Sequence, residues 1–295
     1  YQRWLRLAFA LTATVAVCGA PGVPTPAAGA SEGTPVVFPV ASGPNHLTAG
    51  PDGNVWFTNA NADSVGRITP QGTVTSFADP GGMLGEMRSI TAASGPSEHL
   101  VWVASTDTTV AGRGDQITSI VATPGGPLPV GSMTRYTTPT SGIGNLVVFG
   151  SNIWFTSEQG IGRMQITDGI VDVFPVPGEA TSLALGQDAN LWFTNGNVGR
   201  MSPSTGQVTT FAPPTNLRGV TNIISGPDGK LWIGAWRQPA APVAGRGPEG
   251  SPTIGVLAKV TLNGAFQTFH EFPLAWATPR VRTCGADGNA WYSGM

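Results

Sequence analysis

Histidine, cysteine and charge are all scarce in this sequence. It carries three His and two Cys in 295 residues, and only 11% of its residues are charged, against roughly 25% in an average globular domain. Each shortage excludes something. Helical bundles and coiled coils need charged helix surfaces, so that class is excluded. A net charge of −2 removes the electrostatic case for nucleic-acid binding. Cys18 falls in the leader described below, which leaves Cys284 with no partner for an internal disulfide or a cysteine-based zinc site. It reads as a small buried hydrophobe. Three His leave few general bases, and no His pair has metal-ligand spacing. No Gly-x-Ser-x-Gly elbow and no phosphate-binding loop occurs. The leading apolar run, residues 7–17, is too short for a transmembrane helix, which needs about 20 residues.

What is abundant is turn chemistry and aromatic bulk: 41 Gly and 26 Pro, with nine Trp and twelve Phe. Breakers at that density disfavour helices, while the aromatics can build a core that a disordered chain lacks. The composition therefore predicts a turn-rich, all-β protein. Residues 1–30 read as a signal peptide. Arg3 and Arg6 precede the apolar run, and Ala28-Gly29-Ala30 supplies a small-x-small cleavage site. The mature domain would then be 31–295, secreted or held in the cell envelope. Lipidation at Cys18 is the alternative, and Val17 disfavours it. The start at Tyr1, and a last repeat that stops near Met295, suggest a natural chain that continues at both ends.

Self-similarity fixes the architecture. Asp52-Gly53-Asn54-Val55-Trp56-Phe57-Thr58 recurs as Asp188-Ala189-Asn190-Leu191-Trp192-Phe193-Thr194 and as Asp228-Gly229-Lys230-Leu231-Trp232-Ile233. Weaker copies surround Trp102, Trp154 and Trp291. A second element reads Val65-Gly66-Arg67-Ile68, Ile161-Gly162-Arg163-Met164 and Val198-Gly199-Arg200-Met201. A third ends in Phe77, Phe174, Phe211 or Phe269. Each is a short alternating run bounded by Gly or Pro, the pattern of a strand. Asp-Gly dipeptides mark hairpins between first and second strands. Four short strands recurring about every 40 residues predict a β-propeller. Six blades are visible, the last incomplete. The strand 36–40 is expected to close the ring as the outer strand of that last blade. The six anchor Trp are expected in the core between blades. The Arg of each Gly-Arg pair is expected to be structural. Segments 105–116 and 235–253 read as insertions between second and third strands, on the face where propeller ligands usually bind. Segment 122–132 reads as a Pro/Gly loop.

The ordered repeat Gly-Pro-Asp-Gly-x-x-Trp-Phe-Thr, Val/Ile-Gly-Arg-Ile/Met and Gly-x-Val-Thr-x-Phe resembles the streptogramin B lyase family, also called virginiamycin B lyase, over residues 36–295. The resemblance implies a seven-bladed propeller and magnesium-assisted elimination at the ester of a cyclic depsipeptide. It implies a general-base His in a Pro-His-x-Ile-Thr segment, and a Glu-Pro-His segment in the following blade. Transferred residue by residue, the base position holds Asn45, with His46 one place later. Its counterparts are Arg88, Thr221 and, where Glu-Pro-His is expected, Thr278-Pro279-Arg280. Arg stays protonated and cannot serve as a base, so the expected catalytic His and Glu are not matched.

The candidate ligand-binding residues are therefore His46 and Asn45 near the channel mouth, Arg88 and Arg280 as matching entries to first strands, and Trp236 as an exposed aromatic of the longest insertion. Arg88 and Arg280 would suit a carboxylate or phosphate. His99, His270 and the tripeptide Arg113-Gly114-Asp115 carry no specific signal. Catalytic and metal residues stay unassigned, with magnesium expected only if the family chemistry is kept. Three functions stay open: a carbon–oxygen lyase, a non-catalytic propeller that binds a small molecule or protein on its loop face, and a propeller lactone hydrolase. A monomer without transmembrane span is expected.

Overall fold

The computed structural model describes residues 43–59, 62–79, 84–92, 99–106, 115–124, 126–226, 228–237, 254–271, 280–284 and 290–293. The expected leader 1–30 and ring-closing strand 36–40 lie outside them. Every described element is a strand. Blade 1 is β1 (Pro44–Ala49), β2 (Val55–Asn59), β3 (Ser64–Ile68) and β4 (Val74–Ala78). Blade 2 is β5 (Glu86–Ala92), β6 (Leu100–Thr106), β7 (Asp115–Val121) and β8 (Met133–Thr137). Blade 3 is β9 (Leu146–Phe149), β10 (Asn152–Ser157), β11 (Gly160–Gln165) and β12 (Val171–Phe174). Blade 4 is β13 (Ser182–Leu185), β14 (Leu191–Thr194), β15 (Val198–Met201) and β16 (Val208–Phe211). Blade 5 is β17 (Arg218–Ser225), β18 (Leu231–Arg237), β19 (Ile254–Val260) and β20 (Phe266–Glu271). The sixth unit is the pair β21 (Arg280–Cys284) and β22 (Ala290–Ser293). Each of the first five is a sequential antiparallel meander. First strands of successive blades lie side by side around the axis, from β1 through β21.

The three repeated elements interlock within each blade. The anchor indoles Trp56, Trp102, Trp154, Trp192 and Trp232 are all at most 5% exposed. In blades 1, 4 and 5 the Asp of the hairpin turn accepts the indole N–H: Asp52 from Trp56 at 2.9 Å, Asp188 from Trp192 at 3.1 Å, Asp228 from Trp232 at 2.9 Å. In blade 3 the equivalent place is Gly150, and the Trp154 indole N–H is buried without an acceptor. The Gly-Arg guanidinium covers the indole and the fourth-strand ring together. Arg67 lies 5.7 Å from Trp56 and 5.6 Å from Phe77. Arg163 spans Trp154 and Phe174, and Arg200 spans Trp192 and Phe211, at closely similar distances. In blade 5, Lys259 replaces the Arg, 4.1 Å from the Trp232 ring. Burial alone would push the Asp228 carboxyl up. The Lys259 ammonium and the Trp232 N–H outweigh it and hold the carboxyl below its ordinary value.

The Gly before each Arg is required by contact. The outer carbons of the Phe57, Phe155 and Phe193 rings lie against Gly66, Gly162 and Gly199, where a Cβ would stand 2.1 Å from the ring. Methyl insertion into a packed core costs about 1–3 kcal/mol. Gly162→Ala is expected to lose stability at the upper end of that range in chemical denaturation. Gly126→Ala, where a Cβ meets nothing within 4 Å, is expected to be close to neutral. Equal effects would refute the contact.

The hairpin turns carry a second backbone requirement. Gly53 and Gly229 both have φ of +74°, and Ala189 occupies the same place in blade 4 at φ +58°. A residue with a Cβ in that region is strained by about 1 kcal/mol. Ala189→Gly should therefore raise the melting temperature; a fall would show that the Ala methyl group is used in packing.

Two insertion boundaries are corrected. Strands β6 and β7 run to Thr106 and start at Asp115, so Ser105, Thr106, Asp115 and Gln116 belong to the sheet. Strand β18 runs to Arg237. Trp236 is therefore a strand residue rather than part of the insertion. It pairs with Gly255 and Arg218, and its ring lies on Gly219. Seven consecutive pairs between β18 and β19 extend the hairpin past the point where the sequence pattern breaks.

Candidate functional site

Strand direction sets the geometry of the loop face. Each first strand starts there, each second strand ends there, and the links from one blade to the next cross it. Register then sorts the residues entering the first strands into two rows. Leu47, Ile90, Leu146, Leu183 and Ile223 pair with the residue after the anchor Trp in their blades. One step earlier stand His46, Ser89, Asn145, Ser182 and Asn222. Two steps earlier stand Asn45, Arg88, Gly144, Thr181 and Thr221.

The nearer row stitches blade to blade. Ser89 Oγ accepts the Leu146 N–H at 3.3 Å, Asn145 Oδ1 the Leu183 N–H at 2.7 Å, and Ser182 Oγ the Ile223 N–H at 3.2 Å. A short polar side chain there satisfies a backbone donor that the sheet leaves over. His46 stands in this row. It is half-buried, and its backbone N–H donates to Thr58 Oγ1 at 3.1 Å. In the outer row Asn45, Arg88 and Thr181 are exposed, and the Thr181 and Thr221 hydroxyls donate within their own blades to the Thr194 and Gly234 carbonyls. The register thus separates His46 from Asn45. It places Asn45 and Arg88 at the same register position of neighbouring blades. Arg280 opens β21 opposite Ser293, and the register shift between Val281 and Thr283 takes it out of step with Arg88. Trp236 ends up packed on Gly219 beside Arg218.

One group that the sequence did not single out is Asp115. It is buried at the loop-face end of β7, in register with Thr106 and Glu86 across the sheet. Its Oδ2 accepts the Ile143 N–H at 2.6 Å, and its carbonyl accepts Thr138 Oγ1 at 3.0 Å. Thr106 Oγ1 and Thr140 Oγ1 are buried there without partners. Burial pushes the Asp115 carboxyl up, and the Glu158 charge adds to that. The N–H groups of Ile143 and Gly142, and the Arg88 charge, oppose it without prevailing. Glu158 accepts Ser141 Oγ at 2.7 Å, and Arg88 pairs with Glu86 at 2.8 Å. Asp115 looked like part of a loop tripeptide because nothing local marks it; only the fold brings residue 143 to it.

Among the described residues, no three His, Cys, Asp or Glu side chains converge as a metal site. Among the described residues, too, no helix is long and apolar enough to cross a membrane.

The sequence profile of the virginiamycin B lyase family matches residues 28–240. The chain belongs to the virginiamycin B lyase family. Its fold is similar to that of solved lyases. Virginiamycin B lyase from Staphylococcus aureus superposes with a TM-score of 0.60 at 22% identity, covering 86% of this chain and 85% of that one. A catalytically inactive variant of the S. aureus lyase with quinupristin gives 0.56 at 22% identity, covering 86% and 92%. A streptogramin B lyase gives 0.53 at 23% identity, covering 85% and 90%. No curated protein matches. At these identities the solved structures establish a shared propeller fold, and membership of the virginiamycin B lyase family rests on the profile.

The raised Asp115 value has a signed consequence. Its folded state holds the proton to higher pH than the unfolded chain does. The stability tied to that proton is complete below the ordinary carboxylate value near 3.9 and is lost as pH rises through the raised one. Asn at 115 still accepts from Ile143 and does not ionise. The melting temperature of Asp115→Asn should gain on the parent as pH rises from about 3 to 7. A constant difference would refute the assignment.

Proposed function

We propose that this member of the virginiamycin B lyase family is an exported propeller that binds a ligand on its loop face without lyase chemistry. The observation that carries the reading is the composition of the outer row. Asn45, Arg88, Gly144, Thr181 and Thr221 present amide, guanidinium and hydroxyl groups, and none of them can take a proton from carbon near neutral pH. Such groups suit recognition, because they fix a ligand by directional hydrogen bonds on a rigid scaffold. The leader at 1–30 supports export, to the medium or the envelope. The first ligand to test is a type B streptogramin, since the solved S. aureus relative was studied with quinupristin.

Membership of the family favours a second reading, in which the lyase reaction is retained through residues outside those described. One experiment separates the two. Purified protein is incubated with quinupristin and magnesium; ring opening is followed by mass spectrometry and melting temperature is recorded in parallel. The binding reading expects unchanged ligand mass and an upward thermal shift. Turnover abolished by a chelator would replace it with the lyase reading. Absence of both would remove streptogramins as the ligand class.

A further inference from the structure

Blade 2 and the link that leaves it concentrate buried oxygen atoms that lack partners. Ser105 Oγ, Thr106 Oγ1, Gln116 Oε1, Thr118 Oγ1 and Thr140 Oγ1 are buried and have no hydrogen-bond partner. Their residues are at most 6% exposed. Buried polar atoms normally meet a protein group, a water or an ion. Register divides the five. Ser105 and Gln116 pair with each other and share a sheet face with Thr118. Thr106 pairs with Asp115 on the other face, which packs against blade 3. Directly opposed residues bring their Cβ atoms within about 5 Å, so the Thr106 side chain borders the Asp115 carboxylate. Thr140 lies in the link from blade 2 to blade 3, and Asp115 anchors that link on both sides of it. The Asp115 carbonyl accepts the Thr138 N–H at 2.9 Å, and Oδ2 accepts the Ile143 N–H at 2.6 Å. From blade 3, Gln159 and Glu158 hold Ser141. Sheet and link thus set two unused hydroxyls beside one carboxylate.

The place lacks a positive charge. Asp79 and Asp115 are the buried acids among the described residues. Asp79 is paired with Arg135. No basic side chain pairs with Asp115, and Arg88 pairs with Glu86 at 2.8 Å. Ile143 occupies Oδ2, while Oδ1 accepts no hydrogen bond. A buried carboxylate needs a counter-charge or a proton. A proton on Oδ1 can serve one hydroxyl oxygen. A cation takes lone pairs from Oδ1 and from both hydroxyls together. Carboxylate and hydroxyl oxygens are hard donors. One carboxylate balances a single positive charge, and no trio of acidic, His or Cys side chains gathers among the described residues, so the charge balance favours a monovalent ion.

We propose that Asp115, Thr106 and Thr140 bind an alkali cation, sodium or potassium, in the seam between blades 2 and 3. The ion ties the link 138–143 to blade 2 through oxygens that the polypeptide leaves unused. The pH response given above for Asp115 is that of the protein without this ion.

The protein is exchanged into tetramethylammonium chloride near pH 8, well above the ordinary carboxylate range. NaCl or KCl then replaces that salt at constant ionic strength. The melting temperature is expected to rise saturably with at least one of the two, by about 3 °C at ten times its dissociation constant. Asp115→Asn should abolish the rise. Thr106→Val or Thr140→Val should raise the half-saturating concentration about fivefold. Glu179→Gln, which removes an exposed acid elsewhere, should leave the rise intact. If Asp115→Asn does not fold, the double variant Thr106→Val/Thr140→Val takes its place and should abolish the rise. Equal melting in the three salts, a rise that survives Asp115→Asn, or half-saturation unmoved by both valine substitutions overturns the proposal. A rise given by calcium chloride and by neither alkali salt overturns it as well.

Discussion

The stack of anchor Trp, Arg and fourth-strand aromatic is the interaction on which the rest of the structure depends. A four-stranded blade cannot bury its own faces, so it needs bulky rings to fill the space against its neighbours. An indole buried there brings a polar N–H with it, and the hairpin Asp supplies the acceptor in three of the blades. The guanidinium then covers the ring while keeping its charge near solvent. In this way, one contact accounts for three sequence elements that are far apart in each repeat. The Gly before the Arg belongs to the same constraint, because Phe on the adjacent strand needs the space of a missing side chain.

The scarce charge of the chain therefore falls into two populations. On the turn face, acids and bases are consumed in the clamps. On the loop face the exposed acids Asp63, Glu86, Glu158 and Glu179 take no part in such clamps. The residues entering first strands show the same division of labour. One row is committed to joining blades, through Ser89, Asn145 and Ser182. In the next row Asn45, Arg88 and Thr181 are exposed. His46 stands in that first row, one register step from the row of Asn45 and Arg88.

Much of the fold was legible from residues alone. Trp56, Trp192 and Trp232 with their Asp-Gly or Asp-Ala turns announce hairpins, and the recurrence of Gly-Arg announces equivalent strands. The structural reading of those arginines follows from their repetition. The insertions were less legible. Thr106, Asp115 and Trp236 lack the local pattern of a strand, and they are held in the sheet by partners that the alternation rule does not reveal. Asp115 was invisible as a special group. Its raised proton affinity comes first from its burial, with Ile143 and Arg88 opposing and Glu158 adding, and none of these three is near it in sequence.

The sequence by itself determined the class, the repeat unit and the anchors, because hairpin turns and strand alternation are local and each blade restates them. It also determined which chemistries lack their residues at the positions the family resemblance points to. Only the tertiary structure decided which polar residues join blades and which stay exposed. That choice depends on register and on bulges such as the shift near Arg282, where one extra residue changes the row. The structure alone also decided that Asp115 meets Ile143, because closing blades around an axis brings together groups that the chain keeps far apart.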